Sequence, residues 1–125
     1  MIEIDKATAA DLIEIMRLQK ITFLSEAELL CNFDIQPLKQ NLSELEAEFN
    51  HGVILKAWEP DDSSAEIIGS VRGHIADGTL HIGKLMVHPA KQHQGLGVRL
   101  LKAIENRHPA AKRYELFTSA LNDKN

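Results

Sequence analysis

Two places in this chain hold residues whose type and spacing could do chemistry. The first is Gln92-His93-Gln94-Gly95-Leu96-Gly97-Val98, where two glycines sit at the point a loop becomes an amphipathic helix. The first turn of a helix leaves its backbone N–H groups without partners, and the aligned peptide dipoles add roughly half a positive charge there. A serine or aspartate usually caps that end, but here the preceding Lys91 to Gln94 bring no negative charge. Glycine has no Cβ, so a bulky anion can lie directly against the amides, and a phosphate or pyrophosphate is the natural occupant. Behind it, Val98, Leu101 and Ile104 are expected to face the core. The plain alternative is that the glycines only permit a tight turn. The run lacks the third glycine of the dinucleotide fingerprint and the Gly-Lys-Ser/Thr of a P-loop.

The second place is a pair of histidines. Asp77-Gly78 is the strongest short hairpin signal in the chain. With these as the two central residues, Ala76 pairs with Thr79, Ile75 with Leu80, and His74 with His81. Cross-strand partners share a face, with Cβ atoms ~5 Å apart. Two adjacent imidazoles disfavour double protonation, which keeps one of them neutral at about neutral pH. The pair is then expected to accept a proton or to order the water that does. The bland alternative is a solvent-facing pair or one satisfied in the core. No third ligand stands at a sensible spacing, so no metal is expected.

The elements that must position these residues follow from periodicity. Ile2 and Ile4 alternate with charged neighbours, as in a short strand. Thr8 with Asp11 forms a variant capping box for a helix from about Ala9 to Phe23. A second short helix is expected over Ser25 to Phe33, until "DIQPLKQNL" interrupts with its proline. Ser43 with Glu46 repeats the cap signature, with Leu45 and Phe49 as an apolar face and His51-Gly52 as the end. The period then changes to that of strands: Val53 to Glu59, Ala65 to Ala76, and Thr79 to Val87, the first two separated by the turn "PDDSS". A helix from Gly95 to Arg107 and a last strand, "YELFTS", complete the order. Trp58 is read as core.

Composition bounds what this arrangement can be. A chain of 125 residues is one domain by length, residues 1–125, and can bury a real core. With 44% hydrophobic and 26% charged residues it has the make-up of a soluble globular protein. A formal charge of −4 argues against nucleic-acid binding through a general basic face, although Lys84, Lys91, Arg99 and Lys102 cluster near the glycine loop. The single Cys31, read as an inert buried thiol, excludes an internal disulfide and suits a reducing cytoplasm. No apolar run approaches the ~20 residues that cross a bilayer, and "MIEIDKATAADL" is no signal peptide.

Gln92-His93-Gln94-Gly95-Leu96-Gly97 fits the Q/R-x-x-G-x-G/A signature of the GNAT superfamily of N-acetyltransferases, and the Leu85-Met86-Val87-His88-Pro89 strand end before it is similar to that family too. The resemblance extends over nearly the whole chain, from "IEIDKATAADLIEIMRLQ" through the hairpin to "YELFTSALNDKN". It implies an α+β fold, a mixed and mostly antiparallel sheet flanked by helices. It also implies transfer of an acetyl group from acetyl-coenzyme A, as co-substrate, to a primary amine of a small molecule or peptide by direct attack. By the resemblance, Gln92, His93, Gln94, Gly95, Leu96, Gly97 and Val98 hold the pyrophosphate. The backbone of Leu85, Met86 and Val87 binds the pantetheine arm, and Asn122 touches the cofactor. His81 stands where many members keep a carboxylate base. Glu26, Glu28 and Asp34 lie in the segment that roofs the acceptor cleft; the alternative for them is a solvated helix face.

The chain also departs from the family pattern. Members continue past the position of Asn125 with a helix carrying a tyrosine and two more strands, so the chain is expected to be C-terminally truncated relative to that pattern. Tyr114 cannot be matched to that tyrosine. The expected consequences are an exposed fifth strand that recruits a second copy or a complementary chain, and slow or absent turnover. Two alternatives therefore stand beside the acetyltransferase: an acyl-coenzyme A binder with little turnover, and an assembly module that uses its open sheet edge.

Overall fold

The computed structural model describes residues 2–61, 63 and 66–116, and structural statements below concern these. Strand β1 (Glu3–Lys6) leads to a single 3-10 turn (Ala9–Asp11) and helix α1 (Leu12–Leu30). The Thr8–Asp11 box forms as expected: the Asp11 carboxylate accepts from the Thr8 N–H at 2.8 Å and also pairs with Lys56 at 2.9 Å. The second helix expected from Ser25 does not exist separately. Nothing between Phe23 and Ser25 breaks the helical hydrogen bonding, so α1 runs on until Cys31 turns left-handed at φ 53; at that helix end its thiol is exposed, not buried as expected.

A four-residue α2 (Gln36–Lys39) follows, with Pro37 in its first turn, where a missing N–H costs nothing. Helix α3 (Leu42–His51) is capped by Asn41 rather than Ser43. The Asn41 side chain accepts from the Glu44 N–H at 2.8 Å, and the Glu44 carboxylate accepts from the Asn41 N–H at 2.9 Å. Asn41 wins because its backbone is still extended (φ −103, ψ 171), as a cap requires, whereas Ser43 is already helical.

Strands β2 (Val53–Trp58), β3 (Ile67–Ala76) and β4 (Thr79–Val87) form an antiparallel meander. The hairpin register is the one read from the sequence, including His74 opposite His81. Asp77 and Gly78, at φ 52 and 78, make the paired left-handed turn that matches strand twist. Helix α4 (Leu96–Asn106) then crosses to β5 (Arg113–Leu116), which pairs parallel to β4. The sheet order is β1-β2-β3-β4-β5.

The sheet carries a helix layer on each face. Leu96, Leu100 and Ile104 of α4 pack on Leu55, Val71, Leu80 and Ile82. Leu12, Ile15, Leu18 and Phe23 of α1 and Leu45 of α3 pack on Ile54 and Met86 from the other side. The buried stripe of α4 therefore starts at Leu96 and recurs every fourth residue. Val98, expected inward, is 57% exposed, because core spacing set from Leu100 and Ile104 leaves it on the outer face.

One irregularity shapes the site. Ser70 pairs with Met86 but Arg72 with Gly83, so one β3 residue opposes two on β4, Lys84 and Leu85. This is a β-bulge, with Lys84 at φ 52. It shifts the alternation of β4: Leu80 and Ile82, then Leu85 and Val87, pack with α4, while His81 and Met86 face α1 and α3. Among the described residues, β4 and β5 pair from Thr79↔Arg113 to Ile82↔Leu116. Among the described residues no helix is long and apolar enough to cross a membrane.

Candidate active site

A cleft of about 1350 Å³ runs along the second half of β4. One end is the glycine loop. The other is walled by the C-terminal half of α1, by α3, and by Arg72 and His74 of β3.

The glycine loop is built by short-range contacts. Pro89 to Lys91 form a 3-10 turn whose Ala90 N–H donates to His88 Nδ1 at 3.1 Å. Gln92 Nε2 donates to the Val87 carbonyl at 3.1 Å, tying the loop to the strand end. His93 and Gly95 both take positive φ, 66 and 80, and Gly95 is the residue before α4. The first α4 amide to reach back is Arg99, which donates to the Gly95 carbonyl at 3.2 Å. The amides of Leu96, Gly97 and Val98 therefore precede the helical ladder. No acidic residue lies in that turn and no side chain caps it. A Cβ on Gly97 would meet no heavy atom within 4 Å, so packing does not demand glycine there. What its absence leaves is open space in the cleft over a cationic helix end, which fits a diphosphate.

Most of the sequence-read residues come together here. Leu85, Met86, Val87, Gln92, His93, Gly95, Leu96 and Gly97 line the cleft, as does His81. Gln94 and Val98 flank the loop on its exposed side, and Asn122 lies outside the described residues. The His74 and His81 rings stack, with centroids 5.0 Å apart and planes 19° from parallel. Of the three acidic residues considered for the acceptor side, only Glu26 lines the cleft; Glu28 is exposed and Asp34 pairs with Lys39 on the surface.

Burial raises the Glu26 carboxyl above its ordinary range. Among the described residues, three buried side-chain polar atoms have no hydrogen-bond partner: Thr22 Oγ1, Glu26 Oε1 and Arg72 Nε. All three side chains line this cleft. No grouping of three or more His, Cys, Asp or Glu suited to a metal ion occurs among the described residues.

The cleft also has a buried polar wall that sequence reasoning missed. Arg72, 6% exposed, donates to Glu48 Oε1 at 2.8 Å, to Gln40 Oε1 at 3.0 Å and to Gln19. Gln40 donates to Glu48 Oε2 at 2.6 Å, and Lys84 Nζ lies 3.8 Å from the same oxygen. Burial pushes the Glu48 carboxyl up, but Arg72, Gln40 and Lys84 together outweigh it and hold the group below its ordinary range. Lys84 is lowered, chiefly by burial and also by Arg72, against the pull of Glu48. A signal was present: an arginine within the apolar run "IIGSVRGHIA", two residues before His74, shares that residue's face.

The acetyltransferase (GNAT) family model matches residues 12–125, and the chain belongs to that family. Its fold is similar to that of the PaiA N-acetyltransferase from Thermoplasma acidophilum, solved with coenzyme A. The identity is 16% and the TM-score 0.80, covering 99% of this chain and 83% of that one. A GNAT-family acetyltransferase from Streptococcus pneumoniae matches at 24% identity and TM-score 0.68, over 99% and 80% of the two chains. One from Brucella melitensis, solved with acetyl-coenzyme A, matches at 18% and 0.72, over 95% and 77%. No curated protein sequence matches the chain.

Proposed function

We propose that the protein is an N-acetyltransferase that moves an acetyl group from acetyl-coenzyme A to a primary amine by direct attack. The observation that carries this is the glycine loop: uncapped amides at the start of α4, left open by Gly97, face the same cleft as the β4 bulge and the histidine pair. Acetyl-coenzyme A, when bound, supplies an activated acetyl thioester.

The chain's own residues do the rest. The amides from Gln92 to Val98, above all those of Leu96, Gly97 and Val98, hold the diphosphate against the helix end. The backbone of Leu85, Met86 and Val87 aligns the amide-rich arm as an added strand would. The bulge takes Lys84 and Leu85 out of register with β3, and a main-chain amide of this strand end polarises the thioester carbonyl. His81, stacked on His74, takes the proton that the attacking amine must lose, directly or through water. Glu26 attracts the cationic acceptor, and Asn122 completes the cofactor contacts.

Calorimetric titration with coenzyme A, read with NMR of Gly95 and Gly97, tests the binding half. Thiol release across an amine panel tests the transfer half. Saturating coenzyme A that leaves both glycine signals unmoved overturns the reading. A second reading, acyl-coenzyme A binding with little turnover, is favoured by one observation: the chain's single tyrosine, Tyr114, is 50% exposed on β5 and does not line the cleft. Binding without thiol release selects it. Tyr114 and Leu116, 50% and 45% exposed, also support self-association across β5, and a monomer in size-exclusion chromatography at high concentration removes that part.

A further inference from the structure

We propose that Lys84 is itself an acetyl acceptor, so that the thioester-loaded chain acetylates its own Lys84 Nζ. This rests on the reading of the cleft given above. The left-handed backbone at residue 84 is one that side-chain-bearing residues seldom adopt, and here the bulge imposes it. Its effect is to place Lys84 on the α3 side of the sheet, in the cleft, where a regular strand continued from Leu80 and Ile82 would have put residue 84 on the α4 face.

The side chain is only 18% exposed, and Nζ lies 3.8 Å from Glu48. The charged groups around it are Glu48, Arg72 and Glu44. Burial and Arg72 favour the neutral amine, Glu48 and Glu44 oppose them, and the balance is a lowered Lys84. Nucleophilic attack needs that neutral form. Lys84 also directly precedes Leu85–Val87, the residues assigned to the thioester's arm. The cleft's other lysine, Lys91, sits at the glycine loop and pairs with Glu59 at 2.8 Å.

The step balances without another reactant. The neutral Lys84 nitrogen attacks the acetyl carbon and a C–N bond forms. The C–S bond breaks with its electron pair on sulfur, and the proton shed by nitrogen goes to that sulfur, directly or through water. The products are N-acetyl-lysine and a free thiol. The neutral amide no longer pairs with Glu48 and fills the acceptor end of the cleft, so the modification limits further transfer.

The test is site-resolved mass spectrometry after incubation with acetyl-coenzyme A. Expected is acetylation of Lys84 that saturates with dose, outpaces the exposed Lys39 and Lys102, and falls about tenfold under a tenfold excess of coenzyme A binding with like affinity. Lys84→Arg should lose the adduct and keep the coenzyme A shifts of Gly95 and Gly97. A readout without thioester is trace labelling by limiting acetic anhydride, in which Lys84 should reach half-reactivity below the ordinary lysine value of 10.5. Lys84 left unmodified while Gly95 and Gly97 shift overturns this proposal alone. Unmoved glycines overturn the functional reading as well. Acetylation that rises linearly and strikes Lys39 and Lys102 first is chemical, and overturns it too.

Discussion

Gly97 stands in the first turn of α4, where alanine is the better helix residue by up to about 1 kcal/mol. Its missing Cβ would meet no atom within 4 Å. Gly97→Ala is therefore expected to raise Tm by about 2–4 °C while weakening coenzyme A binding about tenfold. Thermal melts and calorimetric titration read the two opposite signs. Gly95 is different: at φ 80 an alanine costs about 1–2 kcal/mol, so Gly95→Ala should lower both stability and binding. Glu26 gives a pH test. Burial lifts its folded pKa above the ordinary 4.5, so its stability contribution is full below about pH 4.5 and is lost as pH rises through the folded value. Glu26→Gln should raise Tm at about pH 8 and leave it unchanged at about pH 4. An equal offset at both values would refute the burial argument.

At the scale of elements, α4 seats closely on the sheet because Gly73 lets it. A Cβ there would lie 2.9 Å from Ile104 Cγ1 and 3.2 Å from Leu80 Cδ1, and both side chains are fully buried. Gly73→Ala is expected to cost about 1–3 kcal/mol in urea unfolding. It should also weaken coenzyme A binding, since α4 carries the glycine loop. Ile104→Ala, which removes the Cγ1 that the new methyl would meet, should cost less in that background than in the native chain, a coupling that a double-mutant cycle measures. Arg72 ties α1, α3 and β3 together through Gln19, Gln40 and Glu48. Arg72→Leu takes the guanidinium from the half-buried Glu48 carboxylate, which keeps Gln40 and Lys84, and should cost about 1–3 kcal/mol. Glu48 is held below 4.5, so its stability is present above about pH 4.5 and is lost as pH falls through the folded value. The acid-side loss of stability should be smaller in Arg72→Leu.

For the whole molecule, a ligand that binds only the folded chain stabilises it by mass action. At a hundredfold excess over Kd, coenzyme A should add about 2.7 kcal/mol, which for a chain of 125 residues is a Tm rise of about 10 °C. A flat melting curve across the titration would contradict the assigned cleft. Local chemistry settled much in advance. Asp77-Gly78 allowed one hairpin register, and that register stacks His74 on His81. Thr8 and Asp11 marked a helix start, and two glycines with no acidic cap marked the uncapped start of α4. Each of these depends on residues a few positions apart, so the sequence by itself determined them. The bulge at Lys84, the Arg72–Glu48 wall, and the choice of Leu96 over Val98 for the core were decided only by tertiary structure. Each sets residues distant in the chain against one another, and no short window of sequence carries the energy of a contact whose partner lies outside it.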